Sequence, residues 1–236
     1  MSDIRTILLV MAMHDEAKSI IESLGLKLQK KHNSKLPTET FSGKYNDKQI
    51  WLQLNGKCPR FGVDNIGTDA SVLNVYTGIE NHNPDLILNA GTAGGFARAN
   101  AKVGDIYLSY PYVYHHDRRI NIPGFTEYGI GKYTCYPCLD IAKKLGVKAG
   151  VVSTGNSLDH TPLDLEIIEQ YNGEVKEMEA AAIAWVANIF GIPFLAIKAI
   201  TDIVDGSETT EDEFLKNLNY ASKILGEKTI ELIEVL

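Results

Sequence analysis

Short apolar runs bounded by turn residues recur along the chain, at Thr6–Met11, Gln49–Leu54, Asp85–Asn89, Asp105–Tyr110, Ala149–Ser153 and Pro193–Ile200. Several are apolar on both faces, the pattern of strands covered on two sides. Helical spacing lies between them. Asp15 to Leu24 places Ala17, Ile20, Ile21 and Leu24 on one face, with Gly25 as a stop. A second helix follows Asp64 and runs towards Pro84, and Thr161-Pro162 opens a third that ends near Gly173. Met178 to Phe190 is almost wholly apolar and reads as a buried helix closed by Gly191. Thr210-Glu211-Asp212-Glu213 has the form of a capping box opening a long C-terminal helix. With a hairpin around Tyr45–Gln49, this alternation predicts an α/β protein: a three-layer α/β/α sandwich around a central mixed sheet.

Length and composition narrow the class. At 236 residues, 44% hydrophobic and 22% charged, the chain can bury a substantial core. It has no repeat and no Pro/Gly/Ser linker that would divide it, so residues 1–236 are expected to form a single domain. The 23 Lys+Arg against 30 Asp+Glu leave a net charge of -7, without the basic cluster that phosphate backbones require. No nucleic-acid partner is expected. The N-terminal apolar run, Ile7 to Met13, is too short to span a bilayer and ends in His14-Asp15-Glu16, so no membrane partner or signal peptide is expected. Three cysteines do not make a disulfide framework, and the expected compartment is a reducing cytoplasm.

In open α/β sheets, ligands collect beyond the carboxyl ends of strands. Such ends here carry Met13-His14-Asp15-Glu16, Asn89 to Gly95, Ser153 to Ser157, and Thr201-Asp202, while Glu177-Met178-Glu179 stands at the mouth of the apolar helix. Carboxylates at such positions suit general acid/base chemistry. Alternatives remain for each: Glu16 as a first-turn acid facing its helix dipole, Asp202 as a loop cap, Glu179 as a helix cap. Gly91–Gly95 lacks both the dinucleotide fingerprint and the phosphate-loop ending. Cys135-Tyr136-Pro137-Cys138 has no second pair to complete a zinc site, and His115 and His116 point apart on a strand. No metal and no cofactor are expected.

Taken in order and spacing, these segments resemble the nucleoside phosphorylase/nucleosidase superfamily, and within it the 5'-methylthioadenosine/S-adenosylhomocysteine nucleosidases, especially the plant-type ones. The likeness also takes in Phe61-Gly62-Val63-Asp64, His116 to Ile120 and Asp202 to Gly206. It implies a phosphorylase/hydrolase-like fold and hydrolysis of 5'-methylthioadenosine, with S-adenosylhomocysteine as a further substrate, to adenine and a 5-thioribose in methionine salvage. The roles it implies are Asp202 as the acid that protonates adenine N7, Glu16 as the carboxylate that activates water, and Glu179 beside Met178 as holder of the ribose hydroxyls. Leu158 would read the adenine edge through its main chain, while Thr92 and Met13 would line the sugar site. A homodimer is implied too, in which the neighbour's Tyr112 to Tyr133 region closes the 5' pocket.

Chemistry supports this assignment. A departing adenine needs a proton, and the oxocarbenium-like sugar needs nearby negative charge. One acid kept neutral beside two anions is the expected pattern, with a helix N-terminus keeping Glu179 ionised. The alternatives are a phosphorylase using phosphate, and a non-catalytic nucleoside-binding or storage protein. The first needs anion-binding arginines, but the corresponding places read His14-Asp15-Glu16 and Asn89-Ala90-Gly91. The second gives no reason to keep all three acids. Asn156 stands where the family places an aspartate, a change expected to loosen the purine side.

Overall fold

In the computed structural model, which describes residues 4–30 and 35–236, the apolar runs become the inner strands of one mixed sheet. In chain order come strand β1 (Thr6–Met11), helix α1 (His14–Ser23), the short β2 (Lys27–Leu28) and the hairpin of β3 (Glu39–Tyr45) and β4 (Lys48–Leu54). Helix α2 (Thr68–His82), β5 (Leu86–Gly95), β6 (Ile106–His115), α3 (Phe125–Ile130), β7 (Tyr133–Thr134) and α4 (Leu139–Leu145) follow. The last elements are β8 (Lys148–Thr154), α5 (Pro162–Gln170), β9 (Val175–Glu177), α6 (Ala180–Phe190), β10 (Phe194–Ile203) and α7 (Thr210–Val235). None of the described helices is long and apolar enough to cross a membrane.

Strand period and burial together build the layers. Ile7, Leu9 and Met11 of β1 face a core shared with Ile20 and Leu24 near α1 and with Ala221, Leu225 and Leu232 of α7. Leu8 and Val10 point the other way, to Val75 and Ile79 of α2 and the alanine-rich face of α6. This period-two division places helices on both faces of the sheet, as a three-layer sandwich requires. Burial on both faces also explains why these strands read as unbroken apolar runs.

The sheet does more than lie flat. β5 pairs in parallel with β1 on one edge and β10 on the other, while β10 continues through β6, β8 and β9 back to β5. Five strands thereby close a ring, in which β9 meets β5 antiparallel at Gly94–Gly95. Short β9, hidden in the sequence between Gly173 and the apolar helix, is the element that completes this closure. It also delays the start of α6 to Ala180, two residues later than the apolar run suggests. The long helix α7 is capped by Thr209, whose hydroxyl accepts from Asp212 N, rather than by Thr210. Both threonines fit the same cap pattern, and the one-residue shift frees Glu213 to accept from Ile203 N at 2.7 Å, tying α7 to the end of β10.

The ledger of α7 is testable along one helix. Leu225 is fully buried between α1 and the sheet, whereas Leu215 is 72% exposed. Leu225→Ala should lower the unfolding free energy by about 2–5 kcal/mol, and Leu215→Ala should stay within about 0.5 kcal/mol. Urea unfolding of both variants checks the contrast.

Candidate active site

β5 outruns its neighbours on one edge. β1 covers Leu86–Asn89 and β9, coming from the opposite direction, covers Gly94–Gly95, so the stretch from Ala90 to Ala93 meets no strand there. Glu16, in the first turn of α1, fills the gap: its Oε1 accepts from both the backbone N–H and the hydroxyl of Thr92, each at 2.7 Å. A cavity of about 430 Å³ opens at this point, of the size that takes a small organic ligand. Its wall contains Met13, Glu16, Thr92, Leu158, Met178, Glu179 and Asp202, so the catalytic and substrate-binding residues expected from the sequence all reach one space.

One side of the cavity is a buried cluster of acids around a single ammonium. Lys198 Nζ, in the middle of β10, lies 2.7 Å from Glu177 Oε2, and both side chains are about 1% exposed. Glu177 also accepts from Thr154 Oγ1 and from the first amides of α6, Glu179 N at 3.0 Å and Ala180 N at 2.9 Å. Burial alone would raise its pKa, but the Lys198 ammonium and these donors hold it below the usual carboxylate value. Glu179 has one such donor, Gly67 N at 2.9 Å. Burial, then the Glu177 charge, push its pKa from 4.5 up to about 7. Burial likewise raises Glu16, against the Thr92 hydrogen bonds and the charge of Lys198. The helix N-terminus therefore serves Glu177 and not Glu179, contrary to the expectation that it keeps Glu179 ionised: the carboxylate two residues earlier accepts the free amides.

The other side is built at a bulge. The β10–β5 register slips between Ile200 and Asp202, and the slip turns Asp202 over Gly94. A Cβ on Gly94 would stand 2.6 Å from Asp202 Oδ2, so only glycine leaves room for the acid. Asp202 Oδ1 lies 2.8 Å from Thr201 Oγ1, which is also 3.2 Å from the Ala93 carbonyl. That hydroxyl has one proton for two acceptors; a proton on Asp202 Oδ2 leaves Oδ1 an uncharged carbonyl oxygen, which forgoes the bond at less cost than a carboxylate would. Burial raises the Asp202 pKa, in agreement with this reading. Oδ2 is buried with no hydrogen-bond partner among the described residues, and Asp202 lines the cavity.

Asn156 corrects another expectation. Its Oδ1 accepts from Thr68 N and Thr68 Oγ1, both at 2.9 Å, while its backbone N–H and Nδ2 donate to Asp117 Oδ2 at 2.8 and 3.2 Å. An aspartate there would set two carboxylates against each other; asparagine ties three segments together instead of loosening them. Gly67, with φ +89°, makes the turn that serves both sides, since its N–H holds Glu179 and the next residue holds Asn156. His14 is engaged as well, 2.5 Å from Asp64 Oδ1 and 3.4 Å from Glu39 Oε1.

Comparison with known proteins fits this geometry. The family model of the phosphorylase superfamily matches residues 6–234. The chain belongs to that superfamily. Within it, the chain falls among the 5'-methylthioadenosine/S-adenosylhomocysteine nucleosidases. An Arabidopsis thaliana protein of that name is 40% identical over 99% of this chain and 92% of its own length. A second, the 5'-methylthioadenosine nucleosidase of Arabidopsis thaliana, is 37% identical over 94% of this chain and 84% of its own. The apo structure of Arabidopsis thaliana 5'-methylthioadenosine nucleosidase superposes with a TM-score of 0.97 at 35% identity, covering 99% of this chain and 96% of that one.

The sequence pattern placed Glu177 and Thr201 at the site without showing what they do there, and did not point to Lys198, Lys176 or Gly67. A lysine inside Phe194–Ile200, an otherwise apolar run, was the available signal, because a buried ammonium needs an anion close by. Cys135 and Cys138 are buried thiols, with pKa values raised by burial to about 12 and about 11, which opposes thiolate chemistry. His115 and His116 are buried and lowered by that burial to about 4, so both are neutral at pH 7.

Lys198→Met leaves Glu177 buried without its cation and is expected to lower stability by about 3–5 kcal/mol, part of which the added Glu177→Gln restores. Unfolding of the single and double variants measures this, and a loss under about 1 kcal/mol would contradict it. For Glu179 the sign runs the other way. Its folded pKa of about 7 exceeds the ordinary 4.5, so the native state keeps a proton that the unfolded chain has released, and stability falls as pH rises through that window. Glu179→Gln should therefore stabilise the protein at pH 8 by an amount on the order of 3 kcal/mol and have little effect at pH 4. Equal effects at both pH values would refute the assignment.

Proposed function

We propose that this cavity hydrolyses the N-glycosidic bond of 5'-methylthioadenosine, and of S-adenosylhomocysteine, to adenine and the 5-thioribose, the cytoplasmic reaction of methionine salvage, within a single domain. The observation that carries the reading is the gathering of Glu16, Glu179 and Asp202 around one space in which Lys198 is already paired with Glu177. Met13, Ile66 and Phe214 supply the apolar wall that a thioether would occupy.

In this mechanism Asp202 Oδ2 gives its proton to N7 of adenine as the C1'–N9 bond breaks and its electron pair passes to the purine. Thr201 can then turn its proton from the Ala93 carbonyl to Asp202 Oδ1, stabilising the new carboxylate. On the other face Glu16 draws a proton from a water whose oxygen bonds to C1', and Thr92 keeps the Glu16 carboxylate aimed. Glu179 accepts from the ribose hydroxyls. Ionised Glu177, shared with Lys198, offers fixed charge near the developing cation. Phosphate is disfavoured as nucleophile: Lys198 is matched by Glu177, His14 by Asp64, and a dianion would join a cluster already rich in acids.

We also propose a homodimer. Ile122, Phe125 and Tyr128, within the Tyr112 to Tyr133 region, are each more than half exposed, as are Phe61 and Val63 beside the cavity. A second copy would cover such apolar surface and finish the 5' pocket.

Adenine release from methylthioadenosine should proceed at full rate in phosphate-free buffer, and Asp202→Asn should reduce turnover by at least about a thousandfold with the fold retained by circular dichroism. Dependence on added phosphate, or an active Asp202→Asn variant, would refute the reading.

A further inference from the structure

Lys176 stands directly opposite Gly94 in the β9–β5 ladder, and Asp202 stands opposite the same glycine in the β5–β10 ladder. Residues paired across strands project from the same face of a sheet. Lys176 and Asp202 therefore rise on one face, two strands apart, over a residue with no side chain between them, and both line the cavity. The lysine is only 5% exposed, and its Nζ donates to the carbonyls of Ser157 at 2.7 Å and Leu158 at 2.9 Å. An ammonium has three protons, so one remains for the cavity. Asp202 Oδ2 is the matching group without a partner.

We propose that Lys176 is the positioning cation of the leaving-base side: it fixes the Ser157–Leu158 backbone and stabilises the negative charge Asp202 acquires on giving up its proton. The inference rests on the acid role proposed for Asp202. Before the step the base side holds a neutral acid and an ammonium; after it, a carboxylate and the same ammonium. A cation that attracts only the second state lowers the barrier between them. On the sugar side Glu16, ionised when it acts as the base, supplies the opposite sign, so the cavity polarises the bond in the direction of its cleavage. The other groups around the pair are Glu211 and Glu213 on the first turn of α7, Asp159, Asp164 on α5, Glu177, and His116, which burial keeps neutral near pH 7.

The test is the pH profile of kcat for Lys176→Met and Lys176→Arg beside the wild type. Without the ammonium Asp202 holds its proton to higher pH, so in Lys176→Met the alkaline limb should move up by about half to one unit while the maximal rate falls roughly tenfold. Lys176→Arg should keep the limb where the wild type has it. An unmoved limb in Lys176→Met would reduce the lysine to a brace for the loop and overturn the inference, as would an equal shift in Lys176→Arg. Should Lys176→Met fail to fold, lysine NMR titration of the wild type and Asp202→Asn decides: the Lys176 pKa should fall when the aspartate charge is removed, and an unchanged value overturns the inference. An active Asp202→Asn variant would instead defeat the underlying acid assignment, whereas an inactive one with an unmoved limb defeats this inference alone.

Discussion

The contact between Lys198 and Glu177 governs the rest of the cavity. Three acids, Glu16, Glu177 and Glu179, crowd together with little exposure, and one ammonium lies among them. Like charges at short range in a low-dielectric space cannot all ionise. Glu177 takes the lysine, the helix amides and the Thr154 hydroxyl, and is the one held low. Glu16 and Glu179, with fewer donors, are pushed towards neutrality. The readiness of Glu179 to exchange a proton near neutral pH follows from Glu177 having taken the stabilising partners first. The upward shift of Glu16 suits the base role proposed for it, since a raised pKa makes a carboxylate the stronger base.

Topology makes that crowding possible. A flat sheet would keep the ends of β1 and β9 far apart, but the ring through β10, β6 and β8 brings β9 back antiparallel onto β5. The ends of β1 and β9 then approach each other along the same edge of β5 and leave Ala90 to Ala93 uncovered between them. Backbone amides left open in that interval need partners, and Glu16 is placed to supply one. A site at an interruption in strand pairing has ready hydrogen-bond donors and two side walls, with no loop insertion required. The bulge in β10 adds the last component, turning Asp202 over a glycine at the far end of the same interval.

The chain's periodicity revealed the large elements and the three acids, for definite reasons. Double-sided burial makes β1, β5 and β10 read as apolar runs, and carboxylates next to such runs stand out. Elements set by tertiary contact were not legible. β9 is only Val175–Glu177, too short for a period, and exists because β5 and β8 offer it partners. The alkaline displacement of Glu179 was not legible either, because it depends on which of two neighbouring acids captures the start of α6, and that is decided by the turn between them. Asn156 reads as a defect only while Asp117, remote in sequence, is out of view. In each case what was missing was the identity of a spatial neighbour.

One turn carries the mechanical link between the two halves of the cavity. Gly67 N holds Glu179, on the proposed sugar side, and Thr68 holds Asn156, which leads into the Ser157–Leu158 strip on the proposed base side. Lys176 grips that strip from below through its two carbonyls. With the roles proposed above, a displacement of the strip by a poorly fitting base would pass through Asn156 to the turn, and from there to Glu179. Recognition of the base and placement of the sugar are not independent in such a frame. Fit on one side sets the geometry on the other, and binding energy from parts of the substrate that do not react is converted into alignment at the bond that does.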